Sequence, residues 1–204
     1  LDTITPQFIS DLISWGAIGA RTVESQVHRQ MVSGLSMPIG FKNSTSGDKL
    51  LAVNAILSAS YPHCFMGITD KGEPAICKTK GNKNCHIILR GGGGSTNYSL
   101  KHIQHTHEIC QNTQVNTAIM IDCSHGNSQK DYTKQPNVLQ NVVQSMTTFD
   151  SIIGVMLESN LVEGKQKLIF GQKDKLKYGV SITDSCINIQ TTQTIIFNSY
   201  QLIN

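Results

Sequence analysis

The stretch HIILRGGGG, residues 86–94, decides the fold class of this sequence. A short apolar run that ends in a cation and a glycine-rich loop is typical of a buried strand with a polar carboxyl end. Patterns of helical spacing lie on both sides of it, from Asp48 to Ser60 and from Leu100 to Gln111. A buried strand between two helices predicts an α/β fold.

Four further apolar runs repeat this arrangement. They are residues 18–20, 37–41, 117–121 and 152–157, and they lead to Arg21, Lys42, His125 and Glu158. Predicted helices at 23–33 and 138–147 lie between them, and residues 6–13 also have helical spacing. Five strands separated by helices indicate a parallel sheet, and the carboxyl ends of the strands form the active face of a β/α barrel. We therefore expect these side chains and Arg90 to converge on one mouth.

One segment interrupts the alternation of strands and helices. Residues 63–69 and 73–79 flank the turn sequence Asp70-Lys71-Gly72, which predicts a β-hairpin over 63–79. We expect it to be an insertion in a single domain that covers residues 1–204.

Length and composition narrow the class of protein further. The chain has 204 residues, whereas a complete barrel needs about 250. It starts at Leu1-Asp2 without an initiator methionine, so we expect a C-terminal portion of a barrel. A net charge of +3 with 15% charged residues argues against nucleic-acid and membrane partners. Six cysteines without paired spacing, and no apolar run of about 20 residues, favour a cytoplasmic protein.

The strand ends carry two kinds of chemistry. Arg21, Lys42 and Arg90 are suited to a substrate with phosphate and carboxylate groups, because arginine offers a planar fork and lysine a point charge. Any one of them alone is more often a solvated surface charge, but three in phase on successive strands favour a binding site. His125, Glu158 and Asp184 form a donor set suited to Mn, Fe, Co or Zn, although a lone histidine is more often hydrogen-bonded than metal-bound. The glycine run is read as a flexible loop rather than a phosphate-binding loop, since it lacks the Lys-Ser/Thr ending.

Several motifs resemble the type I, aromatic-regulated 3-deoxy-D-arabino-heptulosonate-7-phosphate (DAHP) synthases. They are SWGAIGART at 14–22, PIGFKN at 38–43, HIILRGG at 86–92, IDCSHGNS at 121–128, GVMLES at 154–159 and SITD at 181–184. The resemblance runs in order from Leu1 to about Ile187. It implies a (β/α)8 TIM barrel, of which this chain would contain strands four to eight and the inserted hairpin.

The resemblance also implies roles for individual residues. Arg21, Arg90, the backbone of Ala20 and Lys42 would bind phosphoenolpyruvate, while His125, Glu158 and Asp184 would be three ligands of a divalent metal. Lys42 and His125 would be the catalytic residues. The family's fourth ligand, a cysteine, and its Lys-Pro-Arg-Thr motif have no counterpart in residues 1–204, and Cys123 is not taken as a replacement.

The implied reaction is the first step of the shikimate pathway. C3 of phosphoenolpyruvate attacks the aldehyde of erythrose 4-phosphate, water adds to C2, and phosphate leaves by C–O cleavage. A homo-oligomer with an aromatic amino acid effector is also implied. Positions matching the allosteric pocket are Pro6, Gln7, Ser36, Phe65 and Gly67, and the sequence looks most like the tyrosine-inhibited isoenzyme.

The sequence departs from the family at three places. The loop after Arg90 is one residue longer, residues 43–47 differ from the common Asn-Gly-Thr-Asp-Gly, and the tail from Asn188 lacks a Trp-Glu pair, which weakens the prediction of the last helix.

Two alternatives stay open. One is a related synthase that uses arabinose 5-phosphate, which the motifs at 15–21 and 182–184 disfavour. The other is a non-catalytic remnant that retains the ligand-binding residues.

Overall fold

A computed structural model of the protein describes residues 2–203; Leu1 and Asn204, the two ends of the predicted domain, lie outside the described residues. The helices are α1 (Gln26–Ser33), α2 (Leu50–Ala59), α3 (Leu100–Asn112), α4 (Gln135–Met146) and α5 (Ile189–Ile203). The strands are β1 (Gly16–Ile18), β2 (Ile39–Lys42), β3 (Cys64–Ile68), β4 (Pro74–Lys78), β5 (Cys85–Leu89), β6 (Ile119–Asp122), β7 (Ile152–Met156), β8 (Ser159–Asn160), β9 (Val162–Lys165), β10 (Val180–Ser181) and β11 (Ile187–Asn188).

The centre of the fold is a five-stranded parallel sheet in the order β1-β2-β5-β6-β7. These are the five strands predicted from the apolar runs, and the predicted α/β class is confirmed. Strand β5 is buried at every position, as expected for the central strand of a parallel sheet.

The register aligns the carboxyl ends of neighbouring strands. Lys42 pairs with Ile88, Leu89 with Ile121, and Asp122 with Met156. The residues that follow these strands therefore emerge at the same edge of the sheet, where the active face of a β/α fold lies.

The core lies between the sheet and its helices. Phe41, Ile87 and Ile121 are fully buried, and Val53 and Val142 bring α2 and α4 into the same cluster. Burying a side chain of this size contributes about 1.5–3 kcal/mol. The core thus holds the sheet rigid beneath the loops at its carboxyl edge.

The helix predicted from residues 6–13 is wrong. Two short 3-10 helices, Pro6–Phe8 and Ser10–Leu12, occupy the segment. The side chains of Phe8 and Leu12 are exposed, so the segment buries little of its apolar surface, and short helices without packing are marginal.

Strands β3 and β4 form an antiparallel pair with Phe65 opposite Cys77 and Met66 opposite Ile76. Its base is fixed by a 2.7 Å hydrogen bond between the Thr79 and Ser33 hydroxyls. The hairpin connects the end of α2 to the start of β5, so it leaves the fold at the amino end of the sheet.

The C-terminal part adds pairs of short strands and a helix. Strand β8 pairs with β11 and β9 with β10, both in parallel. The helix α5 forms although the tail lacks the Trp-Glu pair, but none of its side chains is buried. Among residues 2–203, no helix is both long enough and apolar enough to cross a membrane.

Candidate functional site

A cavity of about 780 Å³ opens at the carboxyl edge of the parallel sheet. Its lining includes all of the residues predicted to bind substrate or metal: Ala20, Arg21, Lys42, Arg90, His125, Glu158 and Asp184. They lie at or just after the carboxyl ends of β1, β2, β5, β6 and β7, and Asp184 is supplied by the segment between β10 and β11. The structure therefore brings these predicted residues together in one place.

Three of these side chains form a compact set of donor atoms. Nε2 of His125 lies 3.4 Å from Oε1 of Glu158 and 3.9 Å from Oδ2 of Asp184, and one donor atom from each residue lies within 4.8 Å of the others. One imidazole nitrogen and two carboxylate oxygens suit a borderline divalent transition metal. The residues present therefore fit a metal ion.

The backbone of Glu158 is held in place from α4. The buried Gln135 side chain donates from Nε2 to the Glu158 carbonyl at 3.2 Å and accepts the Glu158 N–H at 2.8 Å. Ile187 N also donates to the Glu158 carbonyl, which ties the start of β11, three residues after Asp184, to the same point. Burial raises the pKa of Glu158, with the charge of Asp184 adding to this and His125 opposing it.

Asp122, the last residue of β6, is an important residue that the sequence analysis did not select. Its carboxylate receives Lys42 Nζ at 2.7 Å and lies 2.9 Å from His125 Nδ1. Burial alone would raise the pKa of Asp122, but its contacts with His125 and with the Lys42 ammonium outweigh burial and hold the pKa well below its usual value. One feature of the sequence could have identified Asp122: it is a charged residue at the end of a buried strand.

The cationic part of the cavity is suited to an anion. Arg90 is buried, and its guanidinium makes one weak hydrogen bond, 3.4 Å to the Gly91 carbonyl. Within residues 2–203, neither Arg90 nor the exposed Arg21 forms an ion pair. Since a buried cation is costly without a counter-charge, an anionic ligand would stabilise this arrangement.

Three buried asparagines fasten the loops around Arg90. Asn43 accepts Arg90 N at 2.8 Å and donates to the Gly91 carbonyl at 3.0 Å, while Asn97 accepts Gly91 N at 2.7 Å. Asn127 accepts Asn97 N at 2.8 Å and donates to the carbonyls that end β5 and β6. The loops after β2, β5 and β6 thus form one hydrogen-bonded unit, which the sequence analysis did not predict.

The glycine run is a tight turn rather than an open loop. Gly92 and Ser95 exchange two backbone hydrogen bonds of 2.9 Å, and Gly93 N donates to the Thr45 carbonyl at 3.1 Å. Gly93 and Gly94, in the middle of the turn, have positive φ of 57° and 79°. Gly92 to Gly94 line the cavity, so the turn is packed against the loop after β2.

The segment after β6 has an unusual backbone. His125, Gln129 and Lys130 have φ of 53°, 57° and 61°, a region that residues other than glycine rarely adopt and that costs about 1–3 kcal/mol each. A 2.7 Å hydrogen bond from Lys130 N to the His125 carbonyl closes the segment. Strained backbone of this kind is concentrated at functional sites.

Cys123 is not suited to bind a metal ion. It is fully buried and its Sγ lies 4.0 Å from the Ile121 carbonyl. Burial, with the nearby charge of Asp122, raises the pKa of the Cys123 thiol to about 12, whereas a metal ligand must be a thiolate.

The residues predicted for the allosteric pocket lie elsewhere. None of Pro6, Gln7, Ser36, Phe65 and Gly67 lines the cavity. Gln7 Nε2 donates to the Ile68 carbonyl at 3.0 Å, which joins the N-terminal 3-10 segment to the hairpin that carries Phe65 and Gly67. Ser36 is exposed, just before β2.

Comparison with known proteins relates the chain to one family. The model of the DAHP synthetase I family matches residues 1–196. The chain is similar to the tyrosine-inhibited phospho-2-dehydro-3-deoxyheptonate aldolase of Candida albicans, at 53% identity over 196 residues, which cover 94% of this chain and 53% of the relative. It is 51% identical to the Phe-sensitive enzyme of Escherichia coli K12 over 96% of this chain and 55% of the relative.

A solved structure gives the same result. The phospho-2-dehydro-3-deoxyheptonate aldolase from Francisella tularensis SCHU S4 superposes with a TM-score of 0.93 at 49% identity, covering 100% of this chain and 60% of that chain. The Tyr-sensitive enzyme of E. coli K12 is 46% identical over 100% of this chain and 57% of the relative. The chain spans about half the length of the curated relatives it matches.

Proposed function

This chain belongs to the DAHP synthetase I family, and we propose that it supplies a large part of the active site of a DAHP synthase. The reaction joins phosphoenolpyruvate to D-erythrose 4-phosphate and releases phosphate, as the first step of the shikimate pathway to the aromatic amino acids. The observation that carries the proposal is the shared cavity, in which two arginines that form no ion pair with any described residue lie beside a His-Glu-Asp set.

Phosphoenolpyruvate is the substrate we assign to the cationic side of the cavity. Its phosphate would be bound by the forks of Arg21 and Arg90, and the Ala20 backbone would add to this side. Lys42 would contact the phosphate and carboxylate region. The burial of Arg90 supports this assignment, because a desolvated guanidinium gains most from an anionic ligand.

A divalent metal is the cofactor we assign to His125, Glu158 and Asp184, with Mn, Fe, Co and Zn as candidates. When bound, it would polarise the aldehyde of erythrose 4-phosphate as a Lewis acid. Lys42 and His125 would act at the reacting atoms, Lys42 by neutralising charge on phosphoenolpyruvate and His125 by orienting the aldehyde side. C3 of phosphoenolpyruvate forms the new C–C bond, and water added at C2 allows phosphate to leave.

The parallel sheet corresponds in this proposal to strands four to eight of a (β/α)8 barrel, within a single domain over residues 1–204. The five parallel strands are neighbours in the sheet in the same order as they follow one another along the chain, which supports this correspondence. We further propose a homo-oligomer in the cytoplasm. The low net charge of the chain supports a protein without nucleic-acid or membrane partners.

Tyrosine is the effector we propose, bound near the hairpin by Pro6, Gln7, Ser36, Phe65 and Gly67. The contact between Gln7 and the end of β3 supports a shared pocket. Two of the relatives described above are tyrosine-inhibited or Tyr-sensitive and one is Phe-sensitive, so both amino acids belong in the test. Tyrosine should inhibit the complete protein more strongly than phenylalanine, and Phe65→Ala should weaken that inhibition with basal activity retained.

The main test is DAHP formation by the complete protein with Mn²⁺, before and after chelation. His125→Ala should lower kcat by about 10³-fold or more, because several kcal/mol of transition-state stabilisation would be lost. His105→Ala, on the exposed side of α3, is the matched control and should retain activity. Turnover that survives both chelation and His125→Ala would refute the metal assignment, and a complete protein that binds phosphoenolpyruvate without turnover would favour the non-catalytic alternative.

A further inference from the structure

The carboxylate of Asp122 is shared between two parts of the site. Its side chain is only 1% exposed, and the single oxygen Oδ2 lies 2.7 Å from Lys42 Nζ and 2.9 Å from His125 Nδ1. The other oxygen, Oδ1, accepts the backbone N–H of Ser124 at 2.9 Å and the Ser124 hydroxyl. Both oxygens of this buried carboxylate are therefore used by the residues that surround it.

The contact with Asp122 determines which nitrogen of His125 faces the cavity. An ionised carboxylate can only accept hydrogen bonds, so Nδ1 of His125 must carry the hydrogen. Nε2 then presents its lone pair on the side of Glu158 and Asp184, at 3.4 and 3.9 Å. A carboxylate behind a ligating histidine fixes its ring and raises its basicity as a ligand.

The same oxygen restricts Lys42. The lysine lies at the end of β2, and its contact with Asp122 at the end of β6 spans 80 positions of the sequence. A flexible ammonium group that is held by a buried charge has fewer rotamers to lose when substrate binds. The carboxylate also lies between Lys42 and the His125 ring, so its charge reduces repulsion between the lysine and a cation at the histidine.

We infer that Asp122 is a positioning residue that orients His125 for metal binding and Lys42 for the anionic substrate through one shared oxygen. The inference rests on the proposed metal site. It assigns Asp122 no contact with the substrate or the metal.

The first measurement is the affinity of the complete protein for Mn²⁺ by titration calorimetry. Asp122→Asn should weaken Mn²⁺ binding about 10- to 100-fold, as is usual when the partner of a ligating histidine is lost. Asp150→Asn is the matched control, because it removes the same charge from an exposed turn before β7, at the opposite end of the sheet. Its affinity should stay within twofold of the parent protein.

The second measurement reports the orientation of His125 directly. In the metal-free protein, ¹⁵N NMR of labelled histidine should show the Nδ1–H tautomer of His125, and Asp122→Asn should shift it toward a mixture of tautomers.

The third measurement concerns Lys42. With saturating Mn²⁺ and phosphoenolpyruvate, kcat of Asp122→Asn should remain at least tenfold below that of the parent protein. A loss that comes only from poor metal binding would instead disappear at saturation.

The outcomes separate this inference from the proposed function. If the parent protein does not bind Mn²⁺, the proposed metal site is refuted. If the parent binds Mn²⁺ and a folded Asp122→Asn binds it within threefold, with an unchanged tautomer, the inference about His125 is wrong while the metal site stands. Full recovery of kcat at saturation would overturn the inference about Lys42.

Ser124→Ala provides a second variant should Asp122→Asn fail to fold. It keeps the carboxylate but removes the hydroxyl that contacts Oδ1 of Asp122 and lies 2.8 Å from His125 Nδ1. Loss of one such hydrogen bond should weaken Mn²⁺ binding about fivefold. An affinity equal to that of the parent would contradict the positioning role.

Discussion

The two ends of the parallel sheet are built on different principles. At the carboxyl end, which we call the cavity end (the loops after β1, β2, β5, β6 and β7), buried polar side chains are hydrogen-bonded to one another across long stretches of sequence. At the amino end, the hairpin end (residues 4–12 and 63–79), large apolar side chains such as Leu12, Met66 and Ile76 are 86, 70 and 66% exposed. The cavity end is therefore held by buried polar contacts, whereas the hairpin end leaves much of its apolar surface exposed.

The binding groups at the cavity end are held in place in advance, whereas the hairpin end should tolerate substitutions. Groups that must meet a substrate are most effective when they are held in place before it binds, and the asparagine network does this for the backbone of Arg90. The hairpin contributes no residue to the lining of this cavity. Substitutions at the cavity end should consequently cost more than the same substitutions at the hairpin end.

The sharpest test of this contrast uses one substitution at two glycines with positive φ. Gly91→Ala should destabilise the protein by about 3 kcal/mol or more, because a Cβ would lie 2.5 Å from the backbone of Gly126 and would also meet an unfavourable φ of 68°. Gly72→Ala, in the hairpin turn at φ 82° with nothing within 4 Å, should cost only about 1 kcal/mol. Urea unfolding of the complete protein measures both, and equal losses would refute the contrast.

The next largest effect should come from the asparagine network. Asn43→Ala leaves the buried N–H of Arg90 without its acceptor, and we expect a loss of about 2–3 kcal/mol in the free energy of unfolding. Asn198→Ala, on the exposed side of α5, is the matched control and should change it by less than about 0.5 kcal/mol. Similar values for the two variants would mean that the network does not hold the loops.

His86, near the amino end of β5, should make the free energy of unfolding depend on pH. Burial lowers the pKa of His86 below its usual value, and Nε2 accepts a hydrogen bond from Trp15 Nε1 at 3.2 Å. Because the folded pKa lies below the unfolded value of about 6.5, the stabilisation is complete above that pH and is lost as the pH falls toward the folded pKa.

The expected slope for His86 is at most about 1.4 kcal/mol per pH unit. It is measured as the difference between the parent and His86→Gln in the free energy of unfolding at pH 7.5 and 5.5. The parent should lose more stability than the variant over this interval. Parallel curves would show that His86 does not carry this dependence.

The smallest effect is expected at the exposed face of the hairpin. Met66→Gln should change the free energy of unfolding by less than about 0.5 kcal/mol, whereas Met31→Gln, at a buried position of α1, should cost several times more because a polar group is buried. A large loss for Met66→Gln would show that the complete protein covers this face.

The sequence predicted the strands better than the ends of the chain. The apolar run at 86–89 became β5, because continuous burial requires continuous apolar residues and leaves a local record. The run at 152–157 became β7, although Ile152 is the one buried residue of that strand. The helical spacing of residues 6–13 was misleading, since a helix of that length needs a surface to pack against and Phe8 and Leu12 have none in residues 2–203. Helix α5 formed where the motif at its start was missing.

The candidate substrate- and metal-binding residues were found because they lie within recognisable motifs at the ends of the predicted strands. The residues that position them were missed for a physical reason: Asp122 reaches Lys42 across 80 residues, Gln135 reaches Glu158 across 23, and Asn43 reaches Gly91 across 48. A side-chain amide in a sequence does not reveal which distant carbonyl it will bond.

By itself, then, the sequence determined the α/β class, the five parallel strands, the family and the residues that carry charge to the carboxyl edge, since all of these follow from periodicity or from local motifs. Only the tertiary structure decided that Asp122 serves Lys42 and His125 together, that three asparagines fasten the loops, and that the glycine run is a packed turn. These features depend on the register between strands, which brings together groups that no local pattern relates.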